Sequence, residues 1–206
     1  MHASYTFSVL ISVIYAFTAS ANIYQDNAES ALQALQTFYD NSTGLWHSFG
    51  PSWWQSANAL TTLANMVALN SSYAMDVASY VFPTTFEQAV AFNIKHGHGL
   101  KQKRQENGFI NPYYDDEGWW AMAWVRVYDV TQNETYLDTA KDIFQDMTTG
   151  WGTNCSSEGL WWNKPHTELN SISNSLFMEV AAYLANRATG ADQQTYIDWA
   201  EREWAW

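Results

Sequence analysis

The sequence predicts an all-α fold, a partial α/α toroid of stacked helical hairpins, and three observations predict it. Segments that are apolar nearly all round alternate with segments apolar along one stripe, the pattern of inner and outer helices. A weak internal repeat accompanies the alternation. Tyr73, Tyr136 and Tyr196 each follow a short polar turn (ALNSS, YDVTQNET, RATGADQQT), and they lie 63 and 60 residues apart. No stretch shows convincing strand alternation.

Taken in order, residues 28–39 place Ala28, Ala31, Leu32, Leu35, Phe38 and Tyr39 on one stripe, with Glu29, Gln33 and Gln36 opposite, an outer helix. Residues 57–69 are apolar nearly all round, an inner helix, and the next outer helix falls between Tyr73 and about residue 95. Residues 118–128 read as inner again. Residues 134–147 follow as outer, with Tyr136, Leu137, Ala140, Ile143, Phe144 and Met147 on one side. Residues 174–185 are inner, and 193–204, with Tyr196, Ile197, Ala200 and Trp204 aligned, are outer. FYDNSTGLW and FQDMTTGW occupy equivalent places after the first and third outer helices. Three hairpins and one extra helix do not close a ring, so residues 22–206 are expected to be the N-terminal part of a larger catalytic domain.

The connections are unequal. Inner-to-outer turns are short, whereas the outer-to-inner loops, about 40–56, 95–117 and 148–171, are long and rich in Gly, Asn and Trp. Hairpins stacked in one sense bring the long loops to one end, the expected active face.

The first residues read as a signal peptide spanning 1–21. An apolar run from Tyr5 to Phe17 leads to the small-x-small pattern Ala19-Ser20-Ala21, and the run is too short to cross a bilayer. Four N-x-Ser/Thr sequons follow, at Asn41, Asn70, Asn133 and Asn154, as expected of a secreted glycoprotein. Cys155, the only cysteine, reads as a thiol with a missing partner or a buried free thiol.

A formal charge of −12 argues against nucleic acid or an anionic membrane as partner. The chain holds 12 Trp, 12 Tyr and 10 Phe, more rings than a core of this size needs, so some are expected to face a neutral, hydroxyl-rich ligand. There is no nucleotide motif, no G-x-S-x-G and no zinc signature, and no cofactor is implied. His96-Gly97-His98 has no nearby carboxylate ligand, so no metal site is expected.

The candidate chemistry lies at Asp115-Asp116 in YYDDEGWW, just before the inner helix expected from Gly118. On position alone, acidic residues there also cap helix N-termini. Their place on the active face, between Tyr113-Tyr114 and Trp119-Trp120, favours a reactive pair. A retaining glycosidase needs two carboxyls about 5–5.5 Å apart, and neighbouring like charges raise one pKa. The doublets Trp53-Trp54, Trp119-Trp120 and Trp161-Trp162, with Tyr114, are expected to form a platform for sugar rings. Asn58, Asn163 and Asn174 would supply paired donors and acceptors to hydroxyls.

The stretch NPYYDDEGWWAMAWVRVYDVTQNETYLDTAKDIFQDMTTGW resembles the signature region of glycoside hydrolase family 76, and WWQSANAL, GLWWNK and SISNSLFMEVAAYL resemble flanking family segments. The resemblance covers nearly all of the mature chain. It implies an (α/α)6 toroid, α-1,6-mannan or its oligosaccharides as substrate, retention of configuration, Asp115 as nucleophile and Asp116 as acid/base. It also implies a place at the cell wall and a domain considerably longer than this chain. A wall transglycosidase and a non-catalytic glycan-binding fragment are the alternatives.

Overall fold

A computed structural model of the chain describes residues 23–47, 52–95 and 108–206. The expected signal peptide and the His96/His98 pair lie outside these residues. Packing divides the chain after Phe38. In the first unit the described element is helix α1, residues 23–36, whose Ser30 hydroxyl returns to the Asp26 carbonyl at 2.8 Å. It begins five residues before the expected outer helix and stops three residues short of the expected end.

The second unit, Tyr39–Trp206, opens with a small antiparallel hairpin, β1 (Tyr39–Asp40) against β2 (Leu45–Trp46). The sequence did not predict it, because two-residue strands are too short to alternate. Its turn carries the signal instead. Asp40 Oδ1 accepts from both the Ser42 backbone N–H and its hydroxyl at 2.8 Å, and Gly44 takes φ 67°.

Among the described residues six α-helices follow: α2 (Trp53–Ala68), α3 (Ser72–Lys95), α4 (Tyr114–Thr131), α5 (Glu134–Met147), α6 (Ser171–Ala185) and α7 (Gly190–Ala205). They pair as hairpins α2/α3, α4/α5 and α6/α7, and α4 also packs against both α2 and α6. That is the expected alternation of inner α2, α4, α6 and outer α3, α5, α7. Together with the similarity to solved structures reported below, it makes the fold an α/α toroid fold. The stripe of α5 is buried residue for residue as its pattern requires.

Local chemistry sets the helix ends. Asn133 caps α5 by accepting the Thr135 N–H at 3.1 Å, and Asn170 caps α6 by accepting from Ser173 at 3.0 Å. Helix α4 ends at Gln132, in the left-handed conformation with φ 55°. At Gly118 a Cβ would stand 2.8 Å from that of Leu176, so glycine is what lets α4 approach α6 this closely.

The core between α2, α3, α4 and α5 is largely aromatic. Trp120 lies 4.8 Å from both Trp53 and Phe109, Phe109 lies 5.0 Å from Trp124, and Trp124 stacks on Tyr136 at 5.2 Å. Full burial of a ring such as Phe109 contributes about 1.5–3 kcal/mol. No described helix is long and apolar enough to cross a membrane.

Candidate active site

Helix α4 starts at Tyr114, four residues before the expected Gly118, and takes Asp115, Asp116 and Glu117 into its first turn. Negative charge is favoured there by the exposed N–H groups and the helix dipole. The N-cap residue is Tyr113, whose side chain makes no capping bond. Asp115 Oδ1 instead accepts the Asp116 N–H at 3.0 Å, so part of the capping role coexists with a place in the site.

The segment before α4 is pinned to the loop between α5 and α6. Tyr114 N donates to the Trp162 carbonyl at 2.9 Å, Lys164 N donates to that of Pro112 at 3.0 Å, and Tyr113 pairs with Asn163 in an antiparallel bridge. The result is a cleft of about 400 Å³ lined by Trp54, Tyr113, Asp115, Asp116, Trp119, Trp162 and Ile172. The rings fall into two pairs: Tyr113 lies 4.9 Å from Trp162, and Trp54 stacks on Trp119 at 6.3 Å. Trp119 stands four residues after Asp115 and three after Asp116, the spacing that shares a helix face.

The three acidic residues of this turn have different surroundings. Burial pushes Asp116 up to about 6, against a hydrogen bond from Asn111 and helped by the charge of Asp115. Glu117 is fully buried, and burial raises it well above the ordinary glutamate range, against the pull of Lys164. Lys164 Nζ lies 2.8 Å from Glu117 Oε1, also pairs with Asp146 of α5, and sits 5.4 Å from the Tyr114 ring centroid. Asn111 joins the carboxylates: its Nδ2 donates to Asp116 Oδ2 at 2.6 Å and its backbone N to Glu117 Oε1 at 3.1 Å. Its Oδ1 accepts from Tyr113 N at 2.8 Å.

The structure brings together five of the expected site residues: Asp115, Asp116, Trp54, Trp119 and Trp162. It corrects several others. Trp120 is fully buried in the aromatic core and presents no face to a ligand. Trp53 packs beside it, and Trp161 is buried, stacked on His166 with its indole N–H donating to the Gly152 carbonyl. Tyr114 is buried too, and its neighbour Tyr113 lines the cleft in its place. Asn163 closes its own turn through Thr167, at 2.7 and 3.0 Å. The amide of Asn174 is buried and bonded to both backbone groups of Leu160 and to the Asn170 carbonyl. Asn58 sits one turn beyond Trp54, donates to its carbonyl at 3.1 Å and does not line the cleft.

Cys155 is free and exposed, which removes the buried-thiol reading. The sequon residues Asn41, Asn70, Asn133 and Asn154 are all exposed. Among the described residues no group of three or more His, Cys, Asp or Glu is placed to hold a metal ion.

The sequence profile described as Glycosyl hydrolase family 76 matches residues 22–206. The mannan endo-1,6-alpha-mannosidase DFG5 of Candida albicans is 26% identical over 219 residues, 95% of this chain and 46% of that protein. The mannan endo-1,6-alpha-mannosidase DCW1 of Saccharomyces cerevisiae is 33% identical over 103 residues, 45% of this chain and 22% of that protein. Among solved structures, the alpha-1,6-mannanase of a Salegentibacter species superposes with a TM-score of 0.68 at 21% identity, covering 89% of this chain and 50% of that one. An inactive variant of that enzyme, with two consecutive aspartates replaced by alanine and alpha-1,6-mannotetrose bound, superposes with a TM-score of 0.70 at 17% identity and the same coverage. The chain thus spans about half the length of the relatives it matches. With the profile covering nearly all of it, the chain belongs to glycosyl hydrolase family 76.

Proposed function

We propose that this chain carries the catalytic aspartate pair and part of the cleft of a retaining endo-α-1,6-mannosidase. The observation that carries the reading is the pairing of Asp115 and Asp116 on one aromatic-lined cleft, with Asp116 raised to about 6. A carboxyl poised there can hold a proton near neutral pH and release it during turnover. Asp115 attacks the anomeric carbon while Asp116 protonates the departing glycosidic oxygen, leaving a mannosyl ester on Asp115. Asp116, now a base, takes a proton from water as it attacks the same carbon, and two inversions give net retention. A sugar hydroxyl in place of that water would make the product a transferred chain.

The inactive Salegentibacter variant, with consecutive aspartates replaced and a mannooligosaccharide bound, supports an aspartate pair as the reactive groups and α-1,6-mannan as the substrate. The names of the fungal relatives support mannan. Secretion, N-glycosylation at the four exposed sequons and residence at the cell wall complete the proposal.

The test follows the first product formed from α-1,6-mannooligosaccharides by NMR, using the gene product that contains this chain. The α-anomer is expected first, and Asp115→Asn should abolish its formation. A β-anomer would overturn retention. Activity that persists in Asp115→Asn would overturn the nucleophile. Mannan binding without turnover, unchanged by substitution of either aspartate, would favour the glycan-binding reading, for which the aromatic-lined cleft alone suffices.

A further inference from the structure

The acid/base reading of Asp116, on which this inference rests, leaves open what holds that carboxyl and which of its oxygens delivers the proton. Asn111 is almost fully buried, and each of its polar groups other than its carbonyl is directed within the site. The Tyr113 backbone N–H can only donate, so the Asn111 atom 2.8 Å from it must be the amide oxygen. That fixes the other end: the NH2 group points at Asp116 Oδ2, 2.6 Å away. Either oxygen of the ionised carboxyl accepts, but in the neutral form the carbonyl oxygen accepts more strongly than the hydroxyl oxygen, so the donor selects Oδ2 as the acceptor in both states. When Asp116 is protonated, its proton therefore sits on Oδ1.

The amide is itself anchored. The Asn111 N–H donates to Glu117, which is buried and paired with Lys164, and Lys164 in turn pairs with Asp146. Three elements, α4, α5 and the loop between α5 and α6, thus converge on one loop residue. Among the described residues, the charged groups around Asp116 are Asp115 on the same turn and, through Asn111, this Glu117–Lys164–Asp146 set. A neutral amide suits the task. A lysine or arginine in its place would hold Asp116 ionised, whereas an amide serves both protonation states in every turnover.

We propose that Asn111 is the positioning residue of the acid/base, its clamped amide directing the catalytic proton to Oδ1 of Asp116. The test compares two substrates in the gene product containing this chain: α-1,6-mannooligosaccharides, whose departing oxygen needs protonation, and α-1,6-mannobiosyl fluoride, whose leaving group needs little. In Asn111→Ala, kcat/KM on the oligosaccharide should fall roughly 10- to 100-fold, with the fluoride nearly unaffected. The ratio between substrates cancels any loss of folded enzyme. Asn111→Ala combined with Asp116→Ala should be no slower than Asp116→Ala alone. As a second variant, Asn111→Asp keeps the shape and the acceptor for Tyr113 but places a third carboxyl beside the pair. It should move the basic limb of the pH profile to higher pH.

Equal losses on both substrates, additive losses in the double variant, or an unmoved basic limb would overturn the positioning role. Full oligosaccharide activity in Asp116→Ala would instead overturn the acid/base reading, whatever Asn111 does.

Discussion

The two ends of α4 hold aspartates in opposite ways. At the C-terminal end, where the helix dipole disfavours negative charge, Asp129 accepts both arms of Arg187, Nε at 2.7 Å and Nη2 at 2.6 Å, with Arg126 3.4 Å away. Both guanidiniums also lie over the Tyr183 ring, at 5.6 and 5.4 Å. At the N-terminal end, where the dipole favours the anion, Asp116 has an amide for its partner and a neighbouring carboxyl, and burial raises it to about 6. One aspartate is held in an arginine fork that ties the end of α4 to the turn after α6. The other is kept near the point where it changes charge. Helix position favours the anion at the N-terminal end, yet burial outweighs it at Asp116.

Four predictions test this contrast. The largest effect belongs to Asp115→Asn, which should lower mannooligosaccharide turnover by at least about 10³-fold while melting temperature hardly moves. Next is Lys164→Met, which leaves Glu117 and Asp146 facing each other without a cation. Denaturant unfolding should show a loss of about 3–5 kcal/mol at neutral pH, smaller in acid because Glu117, already raised by burial, then takes up a proton.

The third prediction sets the two ends against each other. Asp129→Asn should cost about 1.5–3 kcal/mol of stability and leave activity essentially unchanged, because a charge-assisted fork is weakened far from the cleft. Asp116→Asn should do the opposite, abolishing acid assistance while stabilising the fold by about 1–3 kcal/mol at pH 7. The sign follows from the raised value. The folded state binds the proton more tightly than the unfolded chain, so ionisation of Asp116 erodes stability as pH climbs from its ordinary 3.8 through about 6. The gain in Asp116→Asn should therefore vanish below about pH 4; unfolding curves across pH 3–8 (a range of roughly five units) check it. The smallest effect is Trp54→Ala, which removes one wall of the cleft and should raise KM roughly 3- to 10-fold with kcat little changed.

Much of the fold was legible because it rests on period. The α5 stripe was readable in full, since all its apolar positions turn to one side. The inner helices were placed correctly but begin three or four residues before their apolar runs, because their first turns carry polar side chains, as at Asp115–Glu117 in α4. The motif pointed to Asp115 and Asp116, and both line the cleft. Of the six tryptophans expected to face a ligand, only three line the cleft, and the reason is geometric. Neighbours on a helix point about 100° apart, so each doublet divides its labour. Trp54 and Trp119 line the cleft while Trp53 and Trp120 pack in the core, and the loop doublet divides the same way, Trp162 outward and Trp161 inward. Asn111 and Lys164 lie inside segments that resemble the family, but their residue type and spacing pointed to no role. Each is a common polar residue in a loop, and its meaning comes from partners distant in sequence or out of period: Asp116 for one, Glu117 and Asp146 for the other.

The ring of Tyr114 fills the space left by the bare Cα of Gly150, where a Cβ would collide with it, and its hydroxyl reaches Thr149 at 3.3 Å. Tyr114 is also the first residue of α4, immediately ahead of Asp115. A side chain at position 150 would therefore act as a wedge under the helix start and tilt both carboxylates from their aim without touching the cleft. A mutational scan scored on turnover would mark this glycine as if it were part of the chemistry, although what its missing side chain contributes is an empty space the size of a methyl group.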